Sequence, residues 1–205
     1  MKIVKKFLLG QLENNCFIIE VDRKLILIDA PMDSEVIVKY LQDNNLELDY
    51  LFLTHTHYDH ILGLDLFYDL FPNMKIYVNK IERSFLKDPV ENLSVYATTQ
   101  YVFNKEVNTF DDLNPSDFNM EIFYISGHSK SSAVFYFPNE KVVFAGDTLF
   151  KGTIGRSDLN YGDMSSLIAG IKQHLMVLSD DTIVYPGHGS STTIGNEKKT
   201  NNYMR

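Results

Sequence analysis

The sequence predicts an α/β (α+β) fold, a four-layer αβ/βα sandwich, and three observations lead there. The chain opens with strand-like runs, passes into alternating helical and strand patterns, and then repeats that order, as two similar halves would. No segment rich in Pro, Gly or Ser divides the 205 residues, and no fixed-period repeat runs through them. Apolar residues make up 44% and charged residues 22%, which suits one soluble domain over residues 1–205 whose core needs no disulfide.

Each element follows from local pattern. Ile3 to Leu9, Cys16 to Val21 and Leu25 to Ile28 read as strands, with Asp22, Arg23 and Lys24 as the turn between the last two. Ser34 begins a helix running to Asn44, and Tyr50 to Leu53 is a short apolar strand. A helix at Leu64 to Phe71 stops at Pro72, Met74 to Val78 is a strand, and Ile81 to Leu86 is a short helix. Asp88 to Asn119 has little periodicity and reads as a loop-rich lid over a site. Strands at Met120 to Ile125, Ala133 to Phe137 and Val142 to Ala145 precede a helix from Asp163 to Leu178 and a last strand from Asp181 to Tyr185.

Charge and composition exclude several functions. Lys plus Arg number 19 against 27 Asp plus Glu, for a net charge of −8, and basic residues gather only in the tail Lys198 to Arg205. Nucleic acid is therefore a poor partner on electrostatic grounds. Met1 to Gly10 holds too few apolar residues for a signal-peptide core, and no later run approaches a membrane span. A cytoplasmic protein without membrane contact is expected. Cys16, the single cysteine, fits a reducing compartment and reads as a small buried strand residue.

The dense chemical signal is His55, Thr56, His57, Tyr58, Asp59, His60, directly after the strand Tyr50 to Leu53. In an extended segment alternate residues share a side, so His55, His57 and Asp59 point together, while His60 needs a turn to join them. The following helix would supply that turn. Imidazole and carboxylate are the ligands expected for zinc, iron or manganese. Three further candidates, His128, Asp147 and His188, also fall in turns at strand ends, where open sheets place functional groups. A lone loop histidine is more often a hydrogen-bonded residue than a ligand. Five of the six histidines at such positions make that bland reading improbable for the set, and one cysteine is too few for a thiolate-rich structural zinc site. His174 lies within a helix and reads as structural or solvated.

His55, His57, Asp59 and His60 match the H-x-H-x-D-H signature of the metallo-β-lactamase superfamily, which the chain resembles. Gly127-His128, the run Gly146-Asp147-Thr148-Leu149-Phe150, and Gly187-His188-Gly189 resemble the later metal motifs in the same order. The run Gly146 to Asp158 and the end Tyr185 to Tyr203 look like the short glyoxalase II-like, or hydroxyacylglutathione hydrolase-like, branch. The resemblance implies two divalent metal ions, zinc first with iron or manganese as alternatives. His55, His57 and His128 would hold one, Asp59, His60 and His188 the other, and Asp147 would bridge them. It further implies hydrolysis of a small acyl thioester such as S-lactoylglutathione by a metal-bridging hydroxide, with Asp59 orienting or shuttling the proton. A thiolate leaves readily, so no strong general acid is required.

Departures from the pattern carry their own expectations. Ser129, Lys130, Ser131 and Ser132 stand where the family has Pro and Gly, and Lys130 reads as a solvated loop lysine. Only Gly189 to Arg205 follow the last ligand, so a glutathione grip is reduced to Lys198, Lys199 and Arg205, which otherwise form a charged, frayed tail. Arg156 and Asp158 read as a charge pair supporting the Asp147 loop, and Asp29 as either an acceptor fixing a ligating histidine or a turn former. Tyr58 faces either substrate or sheet. Zinc β-lactamases of the best-known class carry cysteine where Asp147 stands and are exported, which argues against antibiotic hydrolysis. The rival readings are a persulfide dioxygenase with one iron on His55, His128 and Asp147, and hydrolysis of another ester, a lactone or a phosphodiester.

Overall fold

In the computed structural model, which describes residues 1–205, Asp22 and Arg23 take the left-handed backbone of a tight hairpin, at φ 49° and 68°. Around that turn, strands β1 (Lys2–Leu9), β2 (Asn14–Val21) and β3 (Lys24–Ile28) pair antiparallel. Helix α1 (Glu35–Asp43) then carries the chain to β4 (Tyr50–Phe52), which pairs parallel with β3. Ser34 precedes α1 as expected, but its hydroxyl donates to the Pro31 carbonyl at 2.6 Å and does not cap the helix. Helix α2 (Leu64–Leu70) leads to β5 (Lys75–Val78), parallel to β4, and β6 (Asn108–Thr109) closes a six-stranded sheet in the order β1 to β6.

The second unit repeats this plan. Antiparallel β7 (Glu121–Ile125), β8 (Ser132–Phe137) and β9 (Val142–Gly146) are followed by a small hairpin of β10 (Leu149–Phe150) and β11 (Thr153–Ile154). Helix α3 (Met164–His174), capped by the Asp163 carboxylate accepting from the Ser166 N–H at 2.6 Å, crosses to β12 (Ile183–Pro186), parallel to β9. The chain ends in β13 (Thr192–Thr193) and helix α4 (Ile194–Thr200), giving a five-stranded sheet ordered β13-β12-β9-β8-β7. The division into two compact units falls after Leu113.

Each unit buries its own core. In the first, Ile37 and Leu41 of α1 and Phe67 of α2 pack with Ile18, Leu27, Leu51 and Ile76 of the sheet. In the second, Leu167 and Ile171 of α3 pack with Val134, Val143 and Val184. Leu, Ile and Val of this kind each contribute about 1.5–3 kcal/mol when fully buried. The parallel crossovers matter most for function, because they bring several strand ends to one edge of each sheet.

Four expectations are corrected. The segment Asp88 to Asn119 is not a lid: Asp88 to Leu113 is part of the first unit's body, and Asn114 to Asn119 begins the second. Phe103 and Phe110 are buried in it, and its β6 pairs with β5. Ile81 to Leu86 forms no α-helix, because Asn79 Oδ1 captures the Ile81 N–H at 3.0 Å and only a 3-10 turn at Arg83–Lys87 follows. Helix α3 ends at His174 rather than Leu178. The tail is not frayed: Thr193 caps α4, and Lys198 Nζ pairs with Asp180 at 2.7 Å.

Candidate metal centre

Strand β4 ends at Phe52, and Leu53 still donates its N–H to the Tyr77 carbonyl of β5. Beyond it the chain bends at Thr54, is extended at His57 (φ −61°, ψ 142°) and then tightens into a 3-10 turn at Tyr58–His60. Ahead of the turn, His55 and His57 lie in this segment. Asp59 does not share it: the turn that was needed for His60 already includes Asp59, and α2 starts only at Leu64. The ring centroids of His55 lie 4.6 Å from His57 and 4.2 Å from His60. Ligand atoms of His55 and His57, of His55 and His60, and of Asp59 and His60 lie within 4.8 Å of each other.

Buried acceptors orient these rings. Asp29, left-handed at φ 60° after β3, accepts the Thr54 N–H on Oδ1 and both the Thr54 hydroxyl and His60 Nδ1 on Oδ2, each at 2.8 Å. The hydroxyl's one proton is thus committed to Asp29, so the 3.0 Å contact from His55 Nδ1 to Thr54 Oγ1 has the imidazole as donor. On both rings Nε2 is the nitrogen left to coordinate. Asp29 is therefore the acceptor for a candidate ligand, the first of the two roles foreseen for it. Asn14 Nδ2 donates to Asp59 Oδ2 at 2.9 Å, and the same oxygen lies 3.4 Å from His60 Nε2.

The second unit holds its candidates at matching places in its topology. Asp147 follows β9 as Asp29 follows β3, and His188 follows β12 as the histidine segment follows β4. His128 Nδ1 donates to the Arg156 carbonyl at 2.9 Å, again leaving Nε2 to coordinate. Asp147 Oδ2 lies 3.6 Å from His128 Nε2 and 3.5 Å from His188 Nε2. Arg156 grips Asp158 with two bonds of 2.8 and 2.9 Å, so this pair braces the loop whose carbonyl orients His128. That bond holds the Asp158 carboxyl below its ordinary range. Between them Gly155 passes so close to Asp147 that a Cβ would stand 1.9 Å from the Asp147 carbonyl oxygen.

These donor sets fit divalent metal ions. Charge-assisted hydrogen bonds run at about 2.7–2.9 Å, shorter than any of the three imidazole-to-carboxylate separations. Bonds of about 2.0–2.2 Å in a tetrahedral shell put neighbouring ligand atoms about 3.3–3.6 Å apart, which the values of 3.4, 3.5 and 3.6 Å match.

The remaining residues fall outside the donor sets. His174 stacks on Phe123 with centroids 5.1 Å apart, a structural role as expected. Lys130 lies over the Tyr161 ring at 4.4 Å. Cys16 is buried, donating to the Ile28 and Asp29 carbonyls, and burial pushes its thiol up, with Asp29 adding to the shift. Tyr58, whose phenol burial and then Asp59 push up, lines a cavity of about 80 Å³ with Leu12, Asn14, Met32, Asp59 and Leu62. Sequence reading missed Asn14 and Glu82, the latter fully buried and accepting from Thr56. Neither carries a local signal, since they meet their partners from 45 and 26 residues away.

No helix is long and apolar enough to cross a membrane. Residues 9–188 match the family model described as the metallo-beta-lactamase superfamily. A probable metallo-hydrolase, M6_Spy0554 of Streptococcus pyogenes, is 36% identical over 94% of this chain and 85% of its own length. The hydroxyacylglutathione hydrolase GloC of Haemophilus influenzae is 33% identical over 94% and 93%. Among solved structures, BLEG-1 B3 metallo-beta-lactamase superposes with a TM-score of 0.90 at 33% identity over 98% of both chains. TTHA1623 in a di-iron-bound form gives 0.86 at 29% over 98% of this chain and all of its own. With the α/β fold, the ordered motifs and the family match in agreement, the chain belongs to the metallo-β-lactamase superfamily, in its glyoxalase II-like branch, and is a metal-dependent hydrolase.

Proposed function

We propose that this hydrolase is a thioesterase cleaving a small acyl thioester such as S-lactoylglutathione. The observation that carries the reading is the similarity to a hydroxyacylglutathione hydrolase along 93% of that protein's length. In this reading residues 1–205 work as one domain in the cytoplasm. His55, His57 and His128 hold one divalent ion, Asp59, His60 and His188 a second, and Asp147 is shared. The imidazole nitrogens at 3.5 and 3.6 Å from Asp147 Oδ2 support that sharing.

Two such ions, when bound, supply Lewis-acid polarisation of a carbonyl and a water acidified toward neutral pH. The chain supplies orientation. Asn14 holds one oxygen of Asp59, which fixes the carboxylate that guides the proton of the attacking water. The cavity beside it, apolar at Leu12, Met32 and Leu62 and polar at Asn14 and Tyr58, suits a short acyl group. A thiolate leaving group, whose thiol has a pKa of about 8.5, departs without a strong general acid. The donor set suits zinc, and the di-iron form of TTHA1623 makes iron the alternative to load beside it.

Hydrolysis of S-lactoylglutathione by protein reconstituted with zinc, iron or manganese tests the proposal, with Asp59→Ala and His188→Ala as controls. Metal-dependent turnover lost in both variants is expected. Full metal occupancy without turnover in any form overturns the thioester assignment. A β-lactam belongs in the same panel, because the BLEG-1 likeness favours that second reading despite Asp147.

A further inference from the structure

The structure assigns Glu82 as a positioning residue of the metal centre: it grips the ligand-bearing segment at Thr56, and so holds His55 and His57 in place on either side. The inference rests on the reading that these two histidines bind metal. Threonines and histidines alternate from Thr54 to His57, and the two kinds take different partners: the His55 and His57 rings lie together, with centroids 4.6 Å apart, while each threonine turns to a carboxylate. The histidine side is the ligand side. The threonine side has its own repeated arrangement, in which each threonine presents a backbone N–H and a hydroxyl to one buried carboxylate. Thr54 gives both to Asp29 at 2.8 Å, and Thr56 gives both to Glu82 at 3.0 and 3.1 Å.

The sheet order explains why two carboxylates are needed. Strand β4 lies between β3 and β5, and it ends at Phe52, short of the histidines. Asp29 comes from the end of β3 and Glu82 from the turn just after β5, so the two flanking strands continue the ladder with side chains where their backbones have turned away. Glu82 is itself fixed: its N–H donates to the Asn79 carbonyl at 2.9 Å, and it is fully buried. Removing its acceptor leaves Thr56, the one residue between the two histidines, without its side-chain anchor. Loss of such an orienting partner typically lowers metal affinity about 10–100-fold.

Both Thr56 donors go to the same oxygen, Oε2, which a glutamine carbonyl can replace. The test is zinc affinity of chelator-stripped protein, measured by competition with a chromophoric chelator, together with the cobalt(II) absorption spectrum and thermal unfolding of the stripped form. Glu82→Ala should lose about 10–100-fold in affinity with an altered cobalt spectrum, while Glu82→Gln stays within about threefold and keeps the spectrum. Wild-type affinity in Glu82→Ala overturns the inference, and so does a Glu82→Gln variant that falls as far. Should Glu82→Ala not fold, Thr56→Val removes one of the two bonds and should cost about 2- to 10-fold. Undiminished affinity there overturns the inference equally. A wild-type protein that binds no metal fails the metal-centre reading itself, a result distinct from metal binding that ignores Glu82.

Discussion

Asp29→Asn is the substitution that separates orientation of the ligands from the ligands themselves. Asparagine tolerates the left-handed backbone at this position, φ 60°, so the change acts through the side chain. Three donors converge on Asp29: the Thr54 N–H on Oδ1, and the Thr54 hydroxyl and His60 Nδ1 on Oδ2. An amide offers one oxygen. With that oxygen at the Oδ2 position two bonds survive, and the NH₂ confronts the Thr54 N–H; with it at Oδ1 two donors are stranded instead. The first arrangement is cheaper, and one buried donor without its acceptor costs about 1–3 kcal/mol. Urea unfolding of the stripped variant should show that loss, and zinc competition a fall of about 10–100-fold as a neutral amide oxygen replaces the carboxylate behind the His60 ring and Thr54 loses its backbone anchor. A variant within about 0.5 kcal/mol of wild type that binds zinc equally well refutes the role given to Asp29.

Three other outcomes are expected. Asn14→Ala removes the 2.9 Å bond to Asp59, and thioester turnover should fall about 10–100-fold while the fold holds, as far-ultraviolet circular dichroism would report; unchanged kcat removes Asn14 from the site. Gly155→Ala forces a Cβ to 1.9 Å from the Asp147 carbonyl oxygen, so soluble yield and metal content should collapse, whereas Gly152→Ala has open space and carries only the strain of φ 77°, about 1 kcal/mol. Comparable melting temperatures for those two glycine variants would contradict the packing. Glu197 is held below its ordinary value of 4.5: burial alone would raise it, but bonds from Thr192, Asn196, the Gly152 N–H and Asn201 outweigh that. Its stabilisation is therefore fully present above pH 4.5 and lost as pH falls through the lower folded value, so the stability gap between wild type and Glu197→Gln should narrow in acid. A gap independent of pH below that point removes the linkage.

What the sequence disclosed was what short-range pattern encodes. Short runs rich in apolar and β-branched residues, bounded by turn residues, located β1 to β3, β4 and β9, because burial on a sheet leaves a mark that survives in the letters. The seven candidate ligands were legible for a related reason, as all stand in the segments that follow strand ends. The errors came where tertiary contact decides. Thr193 and Glu197 carry helix-start chemistry, yet α4 stays ordered through Glu197, whose carboxylate reaches Gly152 from 45 residues away. The two-residue strands β6, β10, β11 and β13 are too short to show a period. Asp59 followed the alternation rule on paper, but the 3-10 turn begins one residue before it. Asn14 and Glu82 are ordinary polar letters whose meaning depends on folding across the sheet.

In the proposed centre seven side chains, four from the His55–His60 segment and three from His128, Asp147 and His188, hold two metal ions. Counting metal by plasma mass spectrometry in protein reconstituted and desalted tests it most directly, with Asp147→Ala, His188→Ala and His174→Ala alongside. About two ions per chain are expected in wild type and in His174→Ala, about one in His188→Ala, and loss of at least one in Asp147→Ala. One ion or none in the wild-type protein, or full loading in the Asp147 and His188 variants, would contradict it.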